Sequence, residues 1–192
     1  MRLLPLIIIC SIIFGIRYNL NAQEDLNHHD EEIPKHSFKK HNISILWGNT
    51  IVPAAKTASG ESSVVLFPSW GINYEYLINH RIGIGWMNEF EMQSYAVEHD
   101  EHAEIEREYP IISSIVFIYE PFRHLVLFAG PGIEFEKTHN FSIIKAGMAV
   151  KFPLPKYFGI ALELSYERKN KTYDAWTFGL IIGKGIGKTK EY

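Results

Sequence analysis

The chain has 192 residues, a single cysteine and a formal net charge of −3, from 19 Lys and Arg against 22 Asp and Glu. A mildly acidic chain of this length suits one domain and does not favour nucleic acid as a partner. Because Cys10 lies in the N-terminal apolar run, the sequence predicts neither a disulfide nor thiol chemistry in the exported protein.

Residues 1–22 predict a cleavable export signal. Arg2 precedes an apolar run of about 14 residues, which fits a signal-peptide core and falls short of the about 20 residues that a membrane-spanning helix needs. Ala22 offers a small residue for cleavage before Gln23, and an uncleaved anchor helix is the alternative. Cleavage would remove Arg2 and Arg17 and lower the net charge to −5.

Residues 23–41 are polar and almost free of large apolar side chains. A segment of this composition cannot bury enough surface to order itself. It is therefore expected to be a flexible tail rich in histidine and acid, followed by a single domain over residues 42–192.

From Asn42 onward, apolar and polar residues alternate with a period of two, which indicates strands. Eight such runs follow one another. The first has Ile43, Ile45 and Trp47 on its apolar face, and the last has Trp176, Phe178, Leu180 and Ile182. Pro68 and Pro131 interrupt two of the runs, the second within a possible bulge or bend at 130–132, and the end of the chain, 183–192, is more polar than a final strand should be.

The connections between the runs alternate in length. Residues 52–62 and 97–108 are long and polar, whereas residues 79–80, 121–123 and 153–156 are short. In an up-and-down meander these two classes lie at opposite ends. Outer-membrane barrels have this asymmetry, with short periplasmic turns and longer outer loops.

Two features favour a barrel with lipid outside over a soluble barrel that binds an apolar ligand inside. The polar face carries many glycines together with interleaved Glu and Lys, such as Glu89, Lys145 and Glu167, which suits a crowded interior held by ion pairs. The aromatics of the apolar face fall into two belts, as at the two interfaces of a bilayer. Asn88 is the exception, since it falls on the face assigned to lipid.

With these features the chain resembles the small outer-membrane β-barrel proteins of Gram-negative bacteria, the OmpA/OmpX-like and OmpW-like group, over residues about 42–186. The resemblance implies an all-β fold, an eight-stranded antiparallel up-and-down transmembrane β-barrel. It also implies a monomer in contact with outer-membrane lipid, with a periplasmic N-terminus. Fold alone does not choose a function within the group.

Histidines and carboxylates cluster in two places. His28, His29 and His36 lie in the expected tail, and His99 and His102 in the second long loop. Imidazole with carboxylate suits zinc or another divalent transition metal, so these five residues are candidate metal ligands. The alternative is a solvated acidic loop. No other cofactor is expected.

The sequence thus favours a non-enzymatic, structural or binding protein of the outer membrane, with possible metal affinity. One alternative is a lipid-modifying enzyme at the outer rim, for which Glu167, Asp174, Ser142 and His139 supply suitable residue types. Another is a narrow porin-like transporter of small or apolar solutes.

Overall fold

The computed structural model describes residues 37–56, 62–100, 103–137, 140–169 and 172–191. The expected signal, 1–22, and most of the expected tail lie outside these ranges. The described residues form ten strands and one short 3-10 helix: β1 Ser37–Lys56, β2 Ser62–Leu77, β3 Ile82–Glu91, β4 Tyr95–Asp100, β5 Ala103–Arg107, β6 Ile111–Phe122, β7 Leu125–Phe135, β8 Phe141–Pro153, η1 Pro155–Tyr157, β9 Phe158–Lys169 and β10 Tyr173–Glu191. Within these ranges no helix has the length and apolar character needed to cross a membrane.

Eight of the strands close into a barrel. They follow the order β1, β2, β3, β6, β7, β8, β9 and β10, every neighbouring pair is antiparallel, and β10 pairs back with β1. The prediction of an eight-stranded antiparallel up-and-down barrel is confirmed. We call the end with the β2–β3, β6–β7 and β8–β9 connections the turn end, and the opposite end the loop end.

The outer face of the barrel is apolar and the inner face carries the charge. Trp47, Val64 and Ile144 point outward with 63, 64 and 66% of their surface exposed, whereas Glu89, Lys145 and Glu167 are buried inside. Both aromatic belts are exposed on the outside, Tyr119, Phe152 and Phe158 near the turn end and Phe90, Tyr109, Phe135 and Trp176 near the loop end. This arrangement is the one that lipid contact requires.

The second long connection, predicted as a long loop over residues 97–108, contains a β-hairpin. β4 and β5 pair with each other, and β4 also pairs with β1 at Ala55↔Val97 and Lys56↔Ala96. The ladder between β1 and β10 ends at Ile51↔Trp176, so β4 takes the free edge of β1 beyond that point. The first connection is also shorter than predicted, because β1 continues to Lys56 and β2 begins at Ser62.

β1 and β10 extend beyond the rest of the barrel at the turn end. Residues 185–191 of β10 pair only with β1, in a register that reaches Ser37↔Glu191, and we call this two-stranded segment the terminal ribbon. Residues 37–41, assigned to the tail by their composition, thus belong to β1. The polar character of 185–191 is explained by the same feature, since this part of β10 extends past the last pairing of β10 with β9.

Pro131 interrupts the ladder between β6 and β7 without a bulge. Ser114↔Gly132 and Phe117↔Ala129 keep one register, and the two positions between them are unpaired. Proline has no N–H to donate, which accounts for the gap. Pro68 lies just past the end of the β2–β3 ladder, where its carbonyl accepts the backbone N–H of Met92.

Candidate functional site

The loop end of the barrel is closed by an apolar cap. Its buried side chains come from four barrel strands and from the hairpin: Val52, Phe67, Tyr95, Val97, Phe141, Tyr173 and Ala175. The rings of Phe67 and Tyr95 stack with centroids 5.1 Å apart. Tyr95 and Val97 of β4 point inward and pack on the barrel strands, so the hairpin folds over the loop end of the barrel.

A band of buried charge, the ion layer, lies beneath the cap. It consists of Glu89, Glu91, Arg107, Glu134, Glu136, Lys145, Glu167 and Lys169. Lys145 Nζ donates to Glu167 Oε1 at 2.9 Å on the neighbouring strand and also contacts Glu89 on β3, which is not its neighbour. These side chains have left water, so each charge depends on an opposite charge nearby.

Lys169 and Arg107 connect the ion layer to the cap. Lys169 Nζ lies 2.8 Å from Glu91 Oε1 and 2.8 Å from Glu134 Oε2. Arg107, at the end of β5, forms an ion pair with Glu134, and its guanidinium lies 4.5 Å from the ring centroid of Phe141. The prediction of structural ion pairs inside the barrel is confirmed, and the hairpin takes part in them.

The turn half of the interior is a cavity of about 740 Å³, unlike the filled interior that eight strands led us to expect. Its inner wall is an apolar band made of Met87, Val126, Phe128, Ala149, Ala161 and Ile181. The volume falls within the range of about 300–1,000 Å³ that is typical of small-molecule sites. It is therefore the main candidate site in the described part of the chain.

The mouth of this cavity is basic. Lys39, Arg81, Arg123, Lys151 and Lys156 line it, against Glu75 and Glu120. Lys151 Nζ pairs with Glu120 Oε1 at 2.5 Å, and Lys39 Nζ donates to Gly187 O and Thr189 Oγ1 of the terminal ribbon. Within the described ranges, the side chains of Arg81, Arg123 and Lys156 are exposed and have no carboxylate within ion-pair distance.

Glu163 forms the floor of the cavity. It is 4% exposed, and its polar neighbours include Lys145 of the ion layer and Ser165 of its own strand. Neither carboxylate oxygen accepts a well-formed hydrogen bond from the residues that the structure describes. A buried carboxylate without such bonds is costly and marks the point where the apolar wall ends.

Sequence reasoning missed this cavity, although a signal for it exists. Several inward positions that line the cavity are occupied by small residues, among them Ala149, Gly159, Ala161 and Gly183, while inward positions of the loop half carry Glu, Lys and Arg. Small inward side chains leave space that large ones fill.

Three polar groups on the lipid face, in Trp86, Asn88 and Ser113, form hydrogen bonds with one another. Trp86 Nε1 donates to Ser113 Oγ at 2.9 Å, Ser113 Oγ donates to Asn88 Oδ1 at 2.9 Å, and Asn88 Nδ2 donates to the backbone oxygen of Ile72 at 3.3 Å. Asn88 thus faces outward as predicted, and this chain of bonds lowers the cost of placing it there.

The five candidate metal ligands are not brought together in the described residues. His28, His29, His36 and His102 lie outside them, and His99 is in β4 just before the tip of the hairpin. Among the described side chains no group of three or more His, Cys, Asp or Glu has metal-binding geometry. The metal site stays a prediction.

The residue types proposed for a rim enzyme are also separated. Glu167 is buried in the ion layer, whereas Ser142 and Asp174 lie on the outward face of β8 and β10. His139 lies outside the described residues. Of the four, the three that can be located do not converge on a common point.

Comparison with known proteins identifies the fold but no close relative. No protein-family model matches the chain, and no curated protein matches it. Among solved structures, Neisserial surface protein A is similar with a TM-score of 0.50 and 9% identity, covering 79% of this chain and 100% of that one. The N-terminal β-barrel domain of Pseudomonas aeruginosa OprF is similar with a TM-score of 0.50 and 13% identity, covering 76% of this chain and 97% of that one. The fold is that of the small outer-membrane barrels.

Proposed function

We propose that the protein is a non-enzymatic β-barrel of the bacterial outer membrane that acts by binding and does not pass solutes along its axis. The observation that carries this proposal is the closure of the loop half by the ion layer and the cap. Lys145 reaches from β8 to Glu89 on β3, and the β4–β5 hairpin covers the loop end of the barrel. Such an interior favours a closed scaffold over a narrow transporter.

The orientation is part of the proposal. Outer-membrane barrels have short periplasmic turns and longer outer connections. By that rule the turn end, with the start of β1 and the cavity, faces the periplasm, and the β4–β5 hairpin faces outward. Protease added to intact cells should then cleave near residues 99–104 and leave the turns of 78–81 and 123–124 uncut.

Electrical recording on reconstituted protein tests the closed interior. We expect no stepwise ion conductance in a planar bilayer that holds folded protein, as judged by its heat-dependent shift on a denaturing gel. Steady channels from the unmodified protein would overturn the proposal. Recovery of the folded protein in the soluble fraction of cells would overturn the membrane assignment.

Metal binding by the histidine-rich segments is a second proposal. Its support is the hairpin, since His99 lies in β4 at the register shift between Glu98 and Asp100, past the pairing of β4 with β1 at Ala55↔Val97. Calorimetric titration with zinc should give a saturable signal that falls on combining His99→Ala with His102→Ala. A signal that is unchanged by this pair but lost with His28→Ala, His29→Ala and His36→Ala would assign the metal to the tail. Absence of any signal would remove both sites.

A further inference from the structure

The turn-end cavity combines three zones along its depth, and the order of the zones is informative. Exposed cations stand at the mouth, the apolar band follows, and Glu163 closes the floor. Along β9 the order from the turn end is Phe158, Ala161 and Glu163. On the neighbouring strand β8, Lys151 lies opposite Ala161 and Ala149 lies opposite Glu163, so the apolar band begins at the depth of Lys151 and extends to the depth of Glu163. A site with a charged entrance and an apolar shaft matches a ligand with one charged end and one apolar body.

The sign of the entrance selects the charge of the ligand. Arg81, Arg123 and Lys156 come from three different turns and face the mouth without carboxylate partners in the described part of the chain. Guanidinium groups favour carboxylate and phosphate through paired hydrogen bonds. The expected head group is therefore anionic.

The depth of the cavity sets the length of the apolar body. Glu163 lies five residue steps along β9 from Phe158, which corresponds to about 12 Å along the axis of a tilted barrel. At standard C–C geometry this depth holds a chain of about ten methylenes. A longer chain would have to place methylenes against Glu163 and the ion layer.

We propose that the turn-end cavity binds a single-chain amphiphile with an anionic head, of the class of medium-chain fatty acids, entering from the turn end. The head pairs with Arg81 and Arg123, and the chain lies along Met87, Phe128 and Ala161. The direction of entry rests on the proposed orientation, but binding itself does not. The two proposals therefore fail separately, one in protease and conductance assays and the other in the titration below.

Methionine methyl groups provide a direct readout. Met87 lies in the cavity and is 3% exposed, whereas Met92 and Met148 face outward and are 53 and 48% exposed. The protein is labelled at its methionine methyl groups, placed in phosphatidylcholine nanodiscs and titrated with laurate while NMR spectra are recorded. We expect a saturable shift at Met87, and weak, non-saturating shifts at Met92 and Met148 from laurate dissolved in the bilayer.

Three matched probes decide what is recognised. Dodecyltrimethylammonium has the chain of laurate with a cationic head, and an equal shift of Met87 would reduce the site to an apolar void. Inorganic phosphate supplies an anion alone, and saturation of Met87 by phosphate would reduce it to an anion site. Stearate should shift Met87 far less than laurate, and equal binding would overturn the assigned depth. Absence of any laurate effect on Met87 would overturn the whole proposal.

Variants locate the head group and the chain. Combining Arg81→Gln with Arg123→Gln should weaken laurate binding about tenfold or more, as expected from loss of charge-assisted hydrogen bonds. Lys137→Gln, at an exposed cation of the loop end, is the matched control and should leave binding unchanged. Ala161→Phe fills the apolar band and should abolish the shift; Ala149→Leu is a milder change that keeps the test valid if the first variant does not fold. Retained affinity in the arginine variant would overturn the role of the mouth.

Discussion

Lys145 on β8 and Glu167 on β9 are direct cross-strand partners, and Lys145 Nζ lies 2.9 Å from Glu167 Oε1 with both side chains fully buried. The same ammonium contacts Glu89, which belongs to a strand on another side of the barrel. One side chain thus joins three strands that are not all neighbours. Its removal affects the packing of the whole ion layer, not only one pair.

We expect Lys145→Met to destabilise the barrel by about 3–5 kcal/mol, because Glu89 and Glu167 would remain buried without their shared cation. Urea unfolding in lipid vesicles, followed by the heat-dependent gel shift, measures this loss. Lys137→Met is the control, since Lys137 pairs with Glu108 in solvent, with side chains 76 and 43% exposed. The hydrogen bond to Glu108 raises the pKa of Lys137, yet solvent screens the pair and its loss should not shift the midpoint. Equal effects of the two variants would contradict the structural role of the layer.

Tyr95 fastens the hairpin to the barrel, so Tyr95→Ala should release it. The hydroxyl donates to Glu91 Oε2 at 2.6 Å, and the ring packs on Phe67 and Tyr173. Hydrogen exchange should become faster in β4 and β5 while the eight barrel strands stay protected. Tyr95→Phe keeps the ring and loses the hydroxyl's bonds to Glu91 and Tyr173, of which the bond to the charged group is worth about 1.5–3 kcal/mol, so it should give a smaller increase. Protection unchanged in the alanine variant would show that Arg107, Val97 and the ladder to β1 hold the hairpin without Tyr95.

Closure of the barrel depends on a close approach of β1 and β10 at Gly48↔Gly179. A Cβ at position 179 would lie 2.8 Å from Gly48 Cα and 2.8 Å from Trp47 O, which is too near for either backbone. Gly179→Ala should therefore cost about 1–3 kcal/mol in unfolding free energy. The matched variant Gly159→Ala should be tolerated, because its nearest neighbour would be Phe152 O at 3.9 Å. If Gly159→Ala lowered the unfolding midpoint more than Gly179→Ala, the close approach of β1 and β10 would not be what limits closure of the barrel.

The outward bond between Trp86 and Ser113 should stabilise the barrel modestly. Polar contacts between membrane-embedded groups are worth about 0.6 kcal/mol on average and at most about 1.7 kcal/mol. Ser113→Ala should lower the unfolding free energy within that range and change the tryptophan emission, since Trp86 Nε1 loses its acceptor. Ser142→Ala on the same outer face serves as the control. A loss well above this range would indicate that Asn88 also becomes unsatisfied.

The parts of this structure that depend on local alternation could be predicted from the sequence. The outward face is a continuous apolar surface, so every strand repeats the same pattern, and the eight barrel strands follow from it. The β4–β5 hairpin could not be predicted in this way. Its tip is acidic and rich in histidine, and its partner on β1, Ala55↔Val97, lies far away in the chain.

The ion layer was predictable in kind but not in detail. Inward Glu and Lys residues indicated buried pairs, yet which carboxylate shares which cation depends on the curvature of the closed barrel. Arg107 was not expected in the interior at all, because it belongs to a segment assigned to a loop. The cavity was not predicted, because it results from small, uncharged inward residues, which form no recognisable pattern in the sequence.

The seam between β1 and β10 also governs the time course of folding. Lys39 hydrogen-bonds to Gly187, 148 positions along the chain, and each other pair of the seam likewise joins distant segments. Contacts of such separation close the largest loops and slow the folding rate. Until β10 arrives, β1 presents an open edge of unpaired backbone groups, which is a template for aggregation. The nascent sheet therefore needs protection for as long as its last strand is missing, and the rate of closure sets how long that exposure lasts.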